Sequence, residues 1–257
     1  MTYRITDTQI QDFNRDGFLF VPNFFDAEEV DILLTTARND GRTHKRAHGI
    51  EDASGRSSKL TFWNHPGNDV FGQVSRCRRI VDTAEALLGD EVYHYHSKLS
   101  FKEPRVGGAW EWHQDYGYWY DFGCLFPTML SYMTALDPAT RENGCLQVLK
   151  GSHKVGRIEH GVQGKQAVAD MKRVEELSEV LDLVYCEMNP GDGLFFHSNT
   201  LHYSAPNESD APRWALINCY NTRSNNPTND LHHPQYTPLQ KVDDNAIKEY
   251  GVQVSRR

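Results

Sequence analysis

Two residues flanking a glutamine, His113 and Asp115 in Trp112-His113-Gln114-Asp115, have the types and spacing to hold a metal ion. Two neutral imidazoles and one carboxylate suit a divalent ion of intermediate softness such as Fe(II), and three protein ligands leave coordination positions open for chemistry. If the stretch is a strand, His113 and Asp115 project from one face and share one ion, while Gln114 points the other way. A lone His-x-Asp occurs often by chance, so its partners must carry the weight. The chain holds 12 histidines. His197 and His202, between Gly191-Asp192-Gly193 and Pro206, are the candidates for a third ligand, and spacing does not choose between them. His153, which reads as a helix or loop cap, and His160, which reads as loop surface, are weaker alternatives. Arg213 adds a clue: a guanidinium buried in a β core needs an anion, which a dicarboxylate cosubstrate supplies by a bidentate pair.

The elements that must position these groups are readable in outline. Thr6 or Asp7 caps a short helix with Ile10 and Phe13 on its apolar face, ending near Gly17. A brief strand spans 18–21, and Asp26 with Glu29 opens a second helix that runs to about Asn39. Residues 41–69 are polar and basic, with Arg42, His44, Lys45, Arg46, His48, Arg56 and Lys59 among glycines and serines, and read as a loop that is either solvated surface or a lid. A helix is expected over 78–88, stopped by Gly89. From 91 the pattern becomes strand-like, with runs at 91–101, 129–136, 145–149, 183–188, 194–196 and 214–220, and Asn143-Gly144 marks a tight turn. Helices first and strands after predict a mainly β domain with flanking helices, its core a double-stranded β-helix, that is, a cupin-like jelly roll. We expect one domain over 1–257: a helical part to about 90, the β core over about 91–222 and an extension over 223–257.

Composition excludes other classes. A net charge of −8 and a pI near 5.8 disfavour a nucleic-acid groove or an anionic membrane surface. No apolar run is long enough to span a bilayer and no signal-peptide layout opens the chain, so it reads as soluble and cytoplasmic. Cys77, Cys124, Cys145, Cys186 and Cys219 are odd in number and widely spaced, and read as reduced thiols. The sequence leaves the oligomeric state open.

The segments Tyr95 to Lys102, Trp112 to Tyr116, Glu142-Asn143-Gly144, Gly151-Ser152-His153-Lys154, and Asn199 to His202 running through Arg213 to Asn221 agree in order and flanks with one family. The chain resembles the phytanoyl-CoA dioxygenase family of Fe(II)/2-oxoglutarate oxygenases, and within it the ectoine-hydroxylase-like bacterial members. The resemblance implies that His113, Asp115 and His202 bind Fe(II), which demotes His197. It implies that Arg213, assisted by Ser204, holds the far carboxylate of 2-oxoglutarate. His96 and Ser100 stand at cosubstrate positions; His96 replaces a glutamine of the ectoine enzyme, while Lys98 and Ser100 replace an arginine and an asparagine. Trp119 matches a substrate-pocket tryptophan. The implied reaction uses O2 and 2-oxoglutarate to hydroxylate an unactivated C–H, releasing succinate and CO2, and the carboxylate of Asp115 favours hydroxylation over halogenation.

The aromatic run Trp110, Trp112, Tyr116, Tyr118, Trp119 and Tyr120 divides between core and pocket, with Trp110 and Trp112 assigned mainly to the core. Trp119, Tyr116 and Lys98 are the substrate candidates. Aromatic faces attract ammonium groups and the basic 42–59 stretch attracts anions, so the expected partner is a small, polar, possibly zwitterionic metabolite. Two rival readings remain: a zinc-dependent hydrolase or isomerase on a cupin-like barrel, which leaves Arg213 without a role, and a non-catalytic metal-binding domain.

Overall fold

The computed structural model describes residues 3–40, 45–230 and 233–255. Arg42 and His44, part of the basic stretch, lie outside the described residues. The first helix, α1 (Asp7–Asp16), begins with a capping box between Thr6 and Gln9 and stops at Gly17, whose φ of 84° suits glycine. Strand β1 (Phe18–Val21) follows, and α2 (Ala27–Asn39) starts with a second box between Asp26 and Glu29.

Residues 41–69 depart from the expected loop. They carry β2 (His48–Glu51) and β3 (Ser57–Trp63), an antiparallel hairpin paired to the β core. The composition is polar because β2 is a largely exposed edge strand and, in β3, only Ser58 and Thr61 are fully buried. The buried Asp52 organises the hairpin tip: Oδ1 accepts from the backbone N–H groups of Ser54 and Arg56, and Oδ2 accepts from Ala109 N–H at 2.7 Å. Gly108 is required beside it, since a Cβ there would meet the Arg56 carbonyl oxygen at 2.6 Å.

Helices α3 (Val70–Arg76) and α4 (Arg78–Leu88) precede β4 (Val92–Lys102). Next come β5 (Trp110–His113), α5 (Asp115–Trp119), β6 (Met129–Ala135) and β7 (Leu146–Leu149). A hairpin of β8 (His160–Gln163) and β9 (Gln166–Ala169) leads through α6 (Met171–Ser178) to β10 (Leu183–Cys186). Strands β11 (Gly193–His197), β12 (His202–Ser204) and β13 (Arg213–Thr222) complete the core, and α7 (Ala246–Ser255) packs near α2 and α3.

A seven-stranded sheet in the order β1-β11-β6-β13-β4-β3-β2 faces a four-stranded sheet, β10-β7-β12-β5, and the strand pairs in both are antiparallel. This is the jelly roll the strand pattern predicts. Period-two alternation divides β13 between two environments: Trp214, Leu216 and Tyr220 join the helix-side core, while Ala215 and Ile217 join the inter-sheet core. On the helix side, Leu33, Val74, Ile80, Val81 and Ala84 are wholly buried with Leu99 and Leu216. Each large aliphatic side chain contributes about 1.5–3 kcal/mol by leaving water. Asn143-Gly144 does mark a turn, with Asn143 Oδ1 accepting from Thr140 N–H at 2.8 Å, but the strands it joins, β6 and β7, belong to different sheets. All five cysteines are free and buried.

Candidate active site

A cavity of about 370 Å³ opens between the two sheets, and its lining includes His113, His202, Arg213, Ser204, Ser100 and Lys98. His113 ends β5 and His202 begins β12; the two are direct cross-strand partners, so sheet register alone sets their ring centroids 4.1 Å apart. Gln114 stays extended at φ −110° and ψ 135°, which returns Asp115, the first residue of α5, to the side of His113. The strand therefore ends one residue before the glutamine, and the shared face survives through one extended residue. One donor atom each from His113, Asp115 and His202 lies within 4.8 Å of the others, and no other such group of three occurs among the described residues.

The donor set is prepared for a cation. His113 Nδ1 lies 2.6 Å from the Glu111 carbonyl oxygen and His202 Nδ1 lies 2.9 Å from that of Thr200. Carbonyls only accept, so each Nδ1 carries the proton and each Nε2 presents a lone pair. Burial, reinforced by the neighbouring His202, pushes the His113 pKa down to about 3, and burial also lowers that of His202. Both rings are thus neutral at neutral pH, the form a metal requires. Burial alone would raise the Asp115 pKa, but the Lys98 ammonium and the Ser131 hydroxyl hold it well below the carboxylate range. Ser131 Oγ donates to Asp115 Oδ2 at 2.6 Å and Tyr118 Oη donates to Oδ1 at 2.7 Å, fixing the carboxylate plane.

Gln114 ties the ligand segments together from behind. Its Nε2 donates to the Gly156 and Asn199 carbonyls, both at 2.8 Å, and its Oε1 accepts from Ile158 N–H at 2.7 Å. The Asn199 bond links the His113–Asp115 segment to the loop that delivers His202. His160 adds a second tie: Nε2 accepts from the Gln114 backbone N–H at 2.9 Å while Nδ1 lies 2.8 Å from the Ile158 carbonyl. Its ring sits on Gly117, where a Cβ would lie 2.1 Å from a ring carbon. His160 is therefore neither surface nor ligand but a brace for the ligand tripeptide.

At the other end, Arg213 is 3 % exposed. Its Nη2 reaches Ser204 Oγ at 3.2 Å, its Nε has no hydrogen-bond partner among the described residues, and no aspartate or glutamate lines the cavity. Burial pushes its pKa down to about 10, which still leaves it charged. A buried guanidinium without a protein anion fits an anionic ligand. Ser100 Oγ is likewise buried and has no hydrogen-bond partner among the described residues. Lys102, one inward position further along β4, donates to the carbonyls of Ser204, at 3.0 Å, and Ala205, and burial pulls its ammonium pKa well down. It clamps the strand that carries His202 and Ser204. Its alternation with Lys98 and Ser100 was the available sequence signal.

The structure does not bring every expected residue to the cavity. His96 lies beyond Lys98, stacked on His233 at 5.0 Å and packed against Phe62 at 4.8 Å, and is not part of the lining. Trp119 and Tyr116 are buried in an aromatic cluster with Tyr93 and Tyr95 rather than facing the cavity, because α5 turns their side chains away from it. Trp110, Tyr118 and Phe122 line it instead, so Trp110 has a role beyond the core. Trp112 stacks on Tyr203 at 5.4 Å. His197 accepts from Asn199 N–H and packs near His153, away from the triad.

Comparison with known proteins agrees with this geometry. Among relatives, L-proline trans-4-hydroxylase of Streptomyces griseoviridis is 28% identical over 90% of this chain and 94% of its own. Methylphosphonate hydroxylase of Gimesia maris is 30% identical over 86% of this chain and 82% of its own. The crystal structure of EctD from S. alaskensis with 2-oxoglutarate and 5-hydroxyectoine superposes with a TM-score of 0.78 at 26% identity, covering 93% of this chain and 88% of that one. Residues 13–215, which hold the triad, Arg213 and all of the sheet strands but the greater part of β13, match the phytanoyl-CoA dioxygenase (PhyH) family as one span, and the chain belongs to that family.

Proposed function

We propose that the chain is an Fe(II)- and 2-oxoglutarate-dependent hydroxylase of a small polar metabolite, with His113, Asp115 and His202 as the iron ligands and Arg213 with Ser204 at the far carboxylate of 2-oxoglutarate. The reading rests on one observation: a two-imidazole, one-carboxylate donor set shares a cavity with a buried arginine that has no anionic partner among the described residues. The donor set is the one that suits non-haem Fe(II) with open coordination positions. A zinc hydrolase would need no such arginine.

Iron with 2-oxoglutarate and O2 supplies the oxidising power that converts C–H to C–OH, with succinate and CO2 released. The protein's own part is positioning and exclusion. The Nδ1–H bonds of His113 and His202 to backbone carbonyls fix both rings, and Ser131 with Tyr118 fixes Asp115. Arg213 and Ser204 orient the cosubstrate along the cavity, with Ser100 Oγ free to donate to it. Met133, Phe196, Leu146 and Ile217 form an apolar wall that keeps water from the reacting groups. Names borne by the relatives, proline, methylphosphonate and ectoine among them, are of small polar molecules, which supports the substrate class.

Anaerobic titration of the apoprotein with Fe(II) and then 2-oxoglutarate tests the assignment. A visible charge-transfer band should appear only after both additions, survive His197→Ala and be lost or weakened in His202→Ala and Arg213→Ala. A wild type without the band refutes the oxygenase reading and brings the zinc alternative forward.

A further inference from the structure

The titratable side chains lining the cavity are Lys98, Lys165, Arg213, His113, His202 and Tyr118, with no carboxylate among the described residues of the lining. Lys165 is at the rim and has its own partner in Glu51 at 3.2 Å. Lys98 is different: its side chain is 17% exposed, and its ion-pair partner among the described residues is Asp115, with Nζ 3.8 Å from Oδ1.

On the functional reading above, that partner is shared. A divalent ion on the triad, Lys98 and Arg213 bring four positive charges to one enclosed site, whereas Asp115 and the 2-oxoglutarate dianion bring three negative. Arg213 takes the far carboxylate, and the ion takes Asp115 and the near one. The uncompensated charge is therefore at Lys98, and a buried charge without a partner is unfavourable. We propose that the substrate is bound through an oxyanion, carboxylate or phosphonate, set against Lys98, and that recognition requires no ammonium group on the substrate.

The rest of the cavity agrees with both halves. An ammonium would find no carboxylate: Asp115 is the nearest, and its two oxygens are already engaged by Tyr118, Lys98 and Ser131. Trp110, Tyr118 and Phe122 offer aromatic faces that attract cations, but Lys98 and the metal repel a third positive charge in the same enclosure. Beyond Lys98 and outside the lining, His96 stacks on His233, and burial and the Lys98 charge keep His96 unprotonated. Leu60, Met133, Phe196 and Ile217 receive the apolar body of the ligand.

This inference rests on the functional reading, and the test separates the two. Isothermal titration calorimetry is run on wild type, Lys98→Met and Lys98→Arg, each loaded with catalytically inert Zn(II) and saturating 2-oxoglutarate. The probes are propionate, ethylphosphonate, propanamide and propylammonium. Wild type should bind at least one of the two anions about tenfold or more tightly than either other probe. Lys98→Met should lose that preference and Lys98→Arg should keep it, while 2-oxoglutarate affinity stays within about twofold in all three. Equal binding of the four probes, tighter binding of propylammonium, or an unchanged preference in Lys98→Met overturns the proposal. So does a Lys98→Met variant whose main loss is in 2-oxoglutarate affinity, since Lys98 then serves the cosubstrate. If the Zn(II) protein does not bind 2-oxoglutarate, the functional reading itself falls and this inference falls with it.

Discussion

Replacing Gln114 by leucine should weaken metal binding as well as the fold, because this side chain joins two ligand-bearing segments. It is wholly buried, and its three hydrogen bonds all end on backbone: Gly156 and Asn199 carbonyls and the Ile158 N–H. Leucine fills nearly the same volume and makes none of them. At a net value of about 1 kcal/mol per bond, the loss is about 3 kcal/mol, and the stranded Ile158 N–H raises it further. For a chain of this size that corresponds to a fall in Tm of about 6–12 °C. The Asn199 bond also holds the His202 loop against the His113–Asp115 tripeptide, and loss of such outer support typically costs about 10–100-fold in metal affinity. Urea denaturation of apoprotein and Co(II) titration monitored by visible absorption measure the two effects separately. His160→Phe, which removes the acceptor for the Gln114 backbone N–H and the Nδ1–H bond to the Ile158 carbonyl, should show a smaller change of about 1–3 kcal/mol in stability, and His160→Asn should recover part of it. A Gln114→Leu protein that melts lower but binds Co(II) within twofold of wild type would show that the triad does not depend on this tie.

Arg213→Met should lower 2-oxoglutarate affinity by at least about 30-fold, from the roughly 2–5 kcal/mol that truncating a buried charged partner costs, measured by calorimetry on Zn(II)-loaded protein. The same variant without ligand should melt no lower than wild type, since it removes a buried charge that has no anionic partner among the described residues. Acid should destabilise the apoprotein early. Burial depresses the pKa values of His94, His113 and His197 to about 3, whereas the unfolded value is near 6.5. Between those limits the unfolded chain binds more protons, so stability is fully present above about pH 6.5 and is lost as pH falls towards 3. The combined slope approaches at most about 4 kcal/mol per pH unit. Urea midpoints measured from pH 7 to 5 should fall accordingly, with a flatter profile in His197→Gln; a profile flat to pH 5 would refute the assignment of these rings as buried neutral bases.

Much of the architecture was legible because local rules carry it. Both helix N-caps, the Gly17 and Gly89 stops and the strand-like runs of β4, β6 and β13 need only neighbouring residues to declare themselves. The β2–β3 hairpin was not legible: β2 is a polar strand at the sheet edge, β3 lies between it and β4, and the hairpin is held by Asp52 to Ala109 far along the chain. The β8–β9 hairpin was missed for a related reason, as Gln166 anchors it to the backbone of Glu111 and Ala109.

The sequence by itself determined which chemistry was possible: the residue types of the triad, the arginine for a dicarboxylate, and an alternation of strands able to enclose them. Tertiary structure decided which histidine joins and which aromatics face the cavity. His202 and His197 are chemically alike, and only the cross-strand register of β12 with β5 puts one imidazole against His113 and leaves the other beside His153. Trp119 and Tyr118 are adjacent in sequence, yet the turn of α5 buries one among tyrosines and sets the other's hydroxyl on Asp115. Side-chain direction within a short helix and pairing between distant strands are set by packing against the whole core, and that information is absent from any local stretch of the chain.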